Sequence, residues 1–419
     1  MPVGRVVEAV LPARMGTSFR WLIASSWTSN LGDGIAIAAG PLLIASQTQD
    51  PLLVALGGVM RGLPWLLFGL YAGVLADRLD RRVLVVAVDL TRAGVLAVLT
   101  AILVTGAVDV TVVLVTLFLV GTAEVFADTT TGTLLPMVVA KADLGIANAR
   151  LMAGFLTTNQ LVGPAVGAVL FTAGMAWPFA VQSLCVGLGA VLISRMRLPP
   201  LPRAAGRSHV RSRMRRDIAE GFRWTWNNAA VRTLALTIVT FNVTFGATWS
   251  VLVLYSSQRL DLGPLGFGLL TTVGAVGGVA GTLAYDWLQR HVSLANIMRV
   301  GLVIETLTHL GLALTTTGWV AMAIMFVFGA HAFVWGTTSN TVRMRVVPAE
   351  LQGRVGSLYA IGVFGGIVLG QLVGGVVGRL SGVVGTLWFG FGGSTLILAL
   401  IWRQLAHIAH ADEEARAAG

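Results

Sequence analysis

Charge is scarce in this chain: 11% of the 419 residues are Asp, Glu, Lys or Arg, against 55% hydrophobic. Soluble domains carry roughly 25% charged residues, so this composition, with a mean hydropathy of +0.80, excludes an ordinary soluble globule. There is one cysteine, Cys185. That rules out an internal disulfide, a thiolate metal cluster and a CxxC redox pair, and leaves a packing role for a thiol flanked by apolar residues. There is one lysine, Lys141 in VVAKADL. Without a GxxxxGK[ST] loop the chain cannot hold ATP phosphates in the P-loop manner. HExxH and GxSxG are also missing, so the sequence reads as a non-enzyme with no cofactor and no metal.

Long apolar runs are abundant instead. A membrane-spanning helix needs about 20 mostly apolar residues. Twelve runs qualify, near 21–45, 52–75, 83–105, 111–134, 150–173, 178–195, 231–255, 265–287, 293–315, 319–341, 355–378 and 383–402, numbered here as spans 1 to 12. Their length and continuity argue against a β-barrel, whose strands are short and alternating. The start, MPVGRVVEAVLPARMGTSFR, has no apolar core ending at a small-residue cleavage site, so span 1 is expected to be an uncleaved anchor.

The formal net charge of +10 could suggest nucleic acid, but the basic residues fall in short segments between spans, where they report topology. Arg5, Arg14, Arg20, Arg78, Arg81, Arg82, Lys141, Arg150, the stretch Arg195 to Arg223, Arg290, Arg343, Arg345, Arg354 and Arg403 share one side; only Arg259 and Arg379 fall on the other. The positive-inside rule places both termini in the cytoplasm. The expected setting is a bacterial cytoplasmic membrane, with the bilayer as partner, no nucleic acid, and a monomeric chain.

The longest gap, 196–230, opens with the extended LPPLPRAAGR and continues as RRDIAEGFRWTWNN, where Ile218, Phe222 and Trp226 recur at helical spacing opposite Asp217, Glu220 and Arg223. That pattern predicts an amphipathic helix on the inner membrane face, with a solvated linker as the alternative. The gap divides the chain into a six-helix bundle at 1–195, the linker at 196–230, a second bundle at 231–403 and a tail at 404–419. Shifts of about 207 to 213 positions superpose TSNLGDG (28–34) on TFNVTFG (240–246), GVLAD (73–77) on GTLAY (281–285) and GPAVG (163–167) on GQLVG (370–374). Matches in the same order at nearly one offset indicate an internal duplication, the parallel repeat of many transporters.

Glycine concentrates in spans 2, 5, 8 and 11, including Gly58, Gly62, Gly69 and Gly73, Gly163 followed by Pro164 and Gly167, Gly274, Gly277, Gly278 and Gly281, and the ladder Gly362, Gly366, Gly370, Gly374 and Gly378. Small residues four apart let helices approach closely in lipid. If these helices face each other across the halves, they form surfaces that slide.

Ionisable residues inside spans mark functional sites by default, because each is costly to hold in lipid. Counting 1.5 Å per residue, Asp33, Arg61 and Glu124 fall about 15 to 22 Å deep, and Asp128 lies one turn from Glu124 on the same face. A layer of acids near the midplane suits proton carriage or a cationic substrate group; the alternative is that Asp33 and Arg61 neutralise each other. The repeat offset puts His331 of span 10 at the position matching Glu124. Asp89 and Arg92, three apart on span 3, are expected to pair locally. Glu305 and His309, four apart on span 9, could relay protons. Trp27, Phe126, Phe241, Trp249, Phe333 and Trp335 suit a greasy cavity or plain packing.

The turn between spans 2 and 3, GVLADRLDRR at 73–82, resembles the loop signature of the major facilitator superfamily, and twelve spans in two similar halves match that fold over nearly the whole chain. Asp80 replaces the signature's second glycine, a departure shared with the branch that resembles macrolide and enterobactin-type exporters. SNLGDGI, DLTRA (89–93), TLLPMVV (133–139), GPAVG, DIAEGFRW and PAELQGRV (348–355) resemble that branch too. The resemblance implies an all-α fold of two pseudo-symmetric six-helix bundles and a secondary transporter, exporting amphipathic small molecules such as drugs or siderophores in exchange for protons by alternating access. An importer or metabolite carrier, or a non-transporting sensor or assembly protein, are the other readings. It also implies a gating motif of Gly73, Asp77, Arg78, Asp80, Arg81 and Arg82, with Asp77 latching on the start of span 11 near Gly356 and Ser357, where a helix N-terminus favours a carboxylate by about 0.3 to 1 kcal/mol. The second copy, GTLAYDWLQRH, keeps only Asp286 and Arg290 as charges, so gating should be asymmetric.

Overall fold

A computed structural model of the chain describes residues 13–198 and 210–405. The first twelve residues, the proline-rich part of the linker and the tail beyond 405 lie outside the described residues. Twelve long helices match spans 1 to 12 and are named α1 to α12: α1 (Gly16–Gln47), α2 (Pro51–Arg78), α3 (Arg81–Thr105), α4 (Val110–Thr131), α5 (Lys141–Ala173), α6 (Trp177–Ser194), α7 (Ala229–Gln258), α8 (Pro264–His291), α9 (Leu294–Leu314), α10 (Gly318–Val346), α11 (Gln352–Ser381) and α12 (Val383–Ile401). Eleven of them are long and apolar enough to cross a membrane; α1 is diluted by its polar run Thr28, Ser29, Asn30 and Asp33. Large apolar side chains such as Leu184, Leu283 and Leu380 point outward, as lipid contact requires.

Local chemistry sets the helix ends. Asp80, Asp109, Asn228 and Ser293 each accept a hydrogen bond from a first-turn backbone N–H of α3, α4, α7 and α9. Gly106 closes α3 in the left-handed conformation, φ 72°, which glycine adopts without steric cost. α5 departs from α-helical geometry over Phe155–Val162, where eight residues form a π-helix.

Two compact units emerge. Unit 1 comprises residues 1–48, 60–204 and 264–272; unit 2 comprises 49–59, 205–263 and 273–419. Each holds a bundle, but the first turns of α2 belong with unit 2 and the first turns of α8 with unit 1. Inside unit 2, Gly375 lies against Leu52 and Ala55, and Gly58 against Gln371. Inside unit 1, Gly268 lies against Pro164 and Ala168.

Backbone seams repeat between the units. Gly34 of α1 abuts Gly163 of α5, and Gly246 of α7 abuts Gly370 of α11; Gly167 abuts Ile35, and Gly374 abuts Ala247. Gly121 of α4 meets the Arg61 backbone of α2, and Gly329 of α10 meets Gly274 of α8. Every partner shifts by 207 to 213 positions, the range of the sequence repeat. A side chain at any of these glycines except Gly274 would drive into a neighbouring backbone, so they are there for helix contact. The ladder of α11 runs along α7 through Val239, Val243 and Ala247. These seams join helices of the same half, while the expected facing of glycine-rich helices from opposite halves occurs where Gly375 of α11 meets the start of α2 and Gly268 at the start of α8 meets α5.

The linker helix, Val210–Asn227, docks on the start of α11. Gly221 lies 3.2 Å, as a built Cβ, from the Arg354 backbone, and Glu220 pairs with the Arg354 guanidinium at 2.8 Å. Trp224 packs on Val231, Val347 and Val355, while Phe222 and Trp226 stack on each other and stay exposed.

Candidate functional site

The midplane acids gather inside unit 1, with different partners from those the sequence suggested. Asp33 sits between Gly32 and Gly34. Gly34 lets the Asn159 backbone of α5 come within 2.5 Å of a built Cβ, and Gly32 lets Cys185 of α6 come within 3.0 Å. Two helices thus close over α1 at this level and bury Asp33. Its carboxylate is directed at α3, where the Arg92 guanidinium donates to it and also lies 3.5 Å from Asp89. Arg92 is 1% exposed and is the largest fully buried side chain among the described residues.

Arg61 does not neutralise Asp33. It donates to Glu124 at 3.3 Å, because Gly121 one turn away brings α4 against the α2 backbone at Arg61. Arg92 therefore bridges two acids, a wider role than the local pair expected from its spacing, and α3 delivers charge to the bundle interior. Spacing showed the pair with Asp89 and missed the contact with Asp33. Depth counting could have found it: Arg92 is eleven residues into α3, about 16 Å, the same layer as Asp33. Asp128 faces open space and forms no salt bridge among the described residues. With Asp89 included, four carboxylates share the layer with two guanidiniums, an excess of two negative charges when all are ionised.

Two features border the cluster. The π-helical stretch of α5 presents Asn159, which donates to the Asn30 carbonyl at 3.3 Å, and Gln160, which donates to Asn159 at 2.6 Å. Such segments often occur at functional sites. On the other flank a cavity of about 20 Å³, room for one water, is lined by Arg61, Thr116, Val120, Leu99 and Gln182.

His331 lies in unit 2. Its Nε2 is 3.5 Å from Glu305 of α9, so Glu305 faces His331, and His309 instead contacts the Thr248 hydroxyl at 3.3 Å. α9, like α3, carries buried polar groups inward. Of the aromatics, Phe241 and Trp335 belong to the hydrophobic core of unit 2, Trp249 packs on Phe245 and Phe328, Phe333 on Gly278, Trp27 on Gly154, and Phe126 on Phe68.

At the turn between α2 and α3, Asp77 pairs with Arg81 at 3.3 Å, and Arg81 also donates to the Ala76 carbonyl. Asp80 caps α3, and Arg82 donates to the Met196 carbonyl at 2.9 Å. The second copy retains a pair of the same spacing, Asp286 with Arg290 at 2.7 Å, within one helix.

Apolar membrane-length helices in duplicated bundles, a charged layer inside one bundle and a basic turn between α2 and α3 define a multi-pass transporter of the major facilitator type. The chain belongs to the transmembrane secretion effector family of that superfamily, whose model matches residues 9–418. It is 28% identical to the multidrug efflux pump Tap of Mycolicibacterium fortuitum over 371 residues, 84% of this chain and 88% of that protein. To macrolide efflux protein A of Streptococcus pyogenes it is 21% identical over 389 residues, 88% of this chain and 91% of that protein. Among solved structures it resembles the nucleoside transporter NupG (TM-score 0.71, 13% identity, 94% and 99% of the two chains). It also resembles a bacterial homologue of the iron transporter ferroportin in an inward-facing state (TM-score 0.71, 16% identity, 93% and 98%). At such identities those structures speak to the fold alone.

Proposed function

We propose that the chain exports amphipathic small molecules, including cationic ones, in exchange for protons by alternating access, with both termini in the cytoplasm. The observation that carries this reading is the charge imbalance of the unit 1 layer, Asp33, Asp89, Glu124 and Asp128 against Arg61 and Arg92. Arginine does not deprotonate in proteins, so the layer approaches neutrality only by taking up protons or a cation. Protons and a cationic substrate group then compete for the same carboxylates, which is the requirement for exchange. Relatives named as multidrug and macrolide efflux pumps support the outward direction. One proton entering down roughly 150 mV supplies about 3.4 kcal/mol, enough for a few-hundred-fold gradient of a neutral solute. Asp77 and the basic residues beside it act as a latch on one state of the cycle.

Inside-out vesicles test the proposal with the fluorescent cation ethidium. An inside-acid gradient is expected to drive ethidium uptake, and Glu124→Gln or Asp33→Asn, each correctly inserted, to reduce it at least tenfold. Undiminished uptake in both variants would overturn the role of the layer. Uptake that runs only with the opposite gradient would overturn export.

A further inference from the structure

Unit 2 carries buried ionisable groups that the exchange just described does not use. Glu305 and His331 face each other at 3.5 Å, with side chains 13% and 3% exposed. The approach is close enough for an ion pair but not aligned as a hydrogen bond, and both imidazole nitrogens are buried without a hydrogen-bond partner. Gly301 makes room for the ring: a built Cβ there would lie 2.8 Å from His331 Nδ1. Phe328 presents its ring edge-on at 5.8 Å. Two ionisable groups thus sit side by side in the interior of unit 2.

The duplication gives the pair its meaning. α3 and α9 begin with matching caps, Asp80 and Ser293, 213 positions apart. The same shift carries Arg92 onto Glu305, while His331 lies within one residue of the position matching Glu124. Where unit 1 has a permanent cation on its third helix, unit 2 has an acid. Its counter-group is an imidazole that can lose its charge.

We infer that Glu305 and His331 form a second proton-binding site, holding one exchangeable proton between carboxylate and imidazole and releasing it when a cationic substrate binds. This inference rests on the proton-coupled reading above. With one proton, the pair is neutral overall whether written as imidazolium with carboxylate or as imidazole with carboxylic acid. Loss of that proton breaks the N–H bond of the imidazolium, passes the proton to water and leaves one negative charge. A single positive charge on the substrate restores neutrality. Glu305, the more exposed partner, is the edge at which the proton enters.

No fixed cation pairs with these groups among the described residues. On the same helix, His309 lies four residues along and contacts Thr248 of α7. Tyr255 of α7 donates to the Leu312 carbonyl, Tyr285 of α8 bonds Thr341, and Tyr359 of α11 bonds Ser339. Arg299 sits over Trp402, and Arg343 over Tyr359. α12 contains no ionisable residue.

The test reconstitutes the full chain in liposomes and measures protons moved per ethidium, with an entrapped pH dye. Glu305→Gln, His331→Gln and the double variant are each expected to lower the ratio by one, the double no further than the singles. Exchanging the two residues, Glu305→His with His331→Glu, is expected to restore the ratio, which a purely structural role would not produce. An unchanged ratio in all three Gln variants overturns the site. Glu124→Gln in the same assay separates the failures. If it lowers the ratio while the pair variants do not, only the second site falls; if wild type moves ethidium without protons, both readings fall. Should the Gln variants prove unstable, the exchanged variant decides alone: wild-type stoichiometry supports the site, and a ratio lowered by one overturns it.

Discussion

The two bundles share their backbone contacts and differ in what those contacts enclose. Gly34 against Gly163 and Gly246 against Gly370 are the same seam built twice, as are Gly121 against Arg61 and Gly329 against Gly274. In unit 1 the space beside these seams holds Asp33, Arg61, Arg92 and Glu124. In unit 2 the shift of 212 replaces Asp33 by Phe245, which stacks with Phe328 and packs on Trp249, and the shift of 213 replaces Arg61 by Gly274. An aromatic cluster fills one interior and a charge cluster the other, on one backbone plan. The fold therefore does not need the charges. Close helix contact through glycine sets the bundle, and the charged layer is an addition that burial makes costly, which is why a functional role is its best explanation.

Substitutions should separate the two bundles. The largest expected effect is Arg92→Met, which strands two acids, Asp33 and Asp89, in a buried setting. Removing one partner of a buried ion pair costs about 3 to 5 kcal/mol, so the variant should unfold far below wild type in a thermal melt followed by size-exclusion chromatography. Glu305→Gln should lower the melt much less, since His331 can become neutral. Equal losses would contradict the claim that only unit 1 relies on permanent cations.

Next in size are Gly34→Ala and Gly246→Ala, each of which pushes a methyl into a carbonyl 2.5 Å away, Asn159 for the first and Ile367 for the second. Overpacking of this kind costs about 1 to 3 kcal/mol. The two variants should lose similar stability, whereas Gly392→Ala, with open space around it, should lose none. A large difference between Gly34 and Gly246 would break their equivalence.

The smallest effect on stability belongs to Asp77→Asn and Asp286→Asn, both exposed i,i+4 partners of arginine worth about 0.3 to 0.5 kcal/mol. Transport should separate them, with Asp77→Asn slowing ethidium export far more. Equal transport in both variants would reduce the 73–82 turn to a topology signal.

Much of this architecture was legible in the chain. Runs of apolar residues marked α1 to α12, and the repeat surfaced through TSNLGDG and GPAVG. The depth of Asp33, Arg61, Glu124 and Asp128 could be counted along their spans. Their partners could not. Asp33 meets Arg92 and not Arg61, and Glu305 meets His331 and not His309, although spacing along one helix favoured His309.

Lipid is the reason for the division. A bilayer forces each spanning segment to satisfy its own backbone, so the number of helices, their lengths and the depth of each charge are properties of local sequence. Which helix a charge faces depends on rotation about the helix axis, where one residue changes direction by about 100°. That rotation is set by glycine contacts between segments more than a hundred residues apart, such as Gly34 with Gly163, and it took the packed bundle to turn a layer of isolated charges into the pairs Asp33 with Arg92, Arg61 with Glu124 and Glu305 with His331.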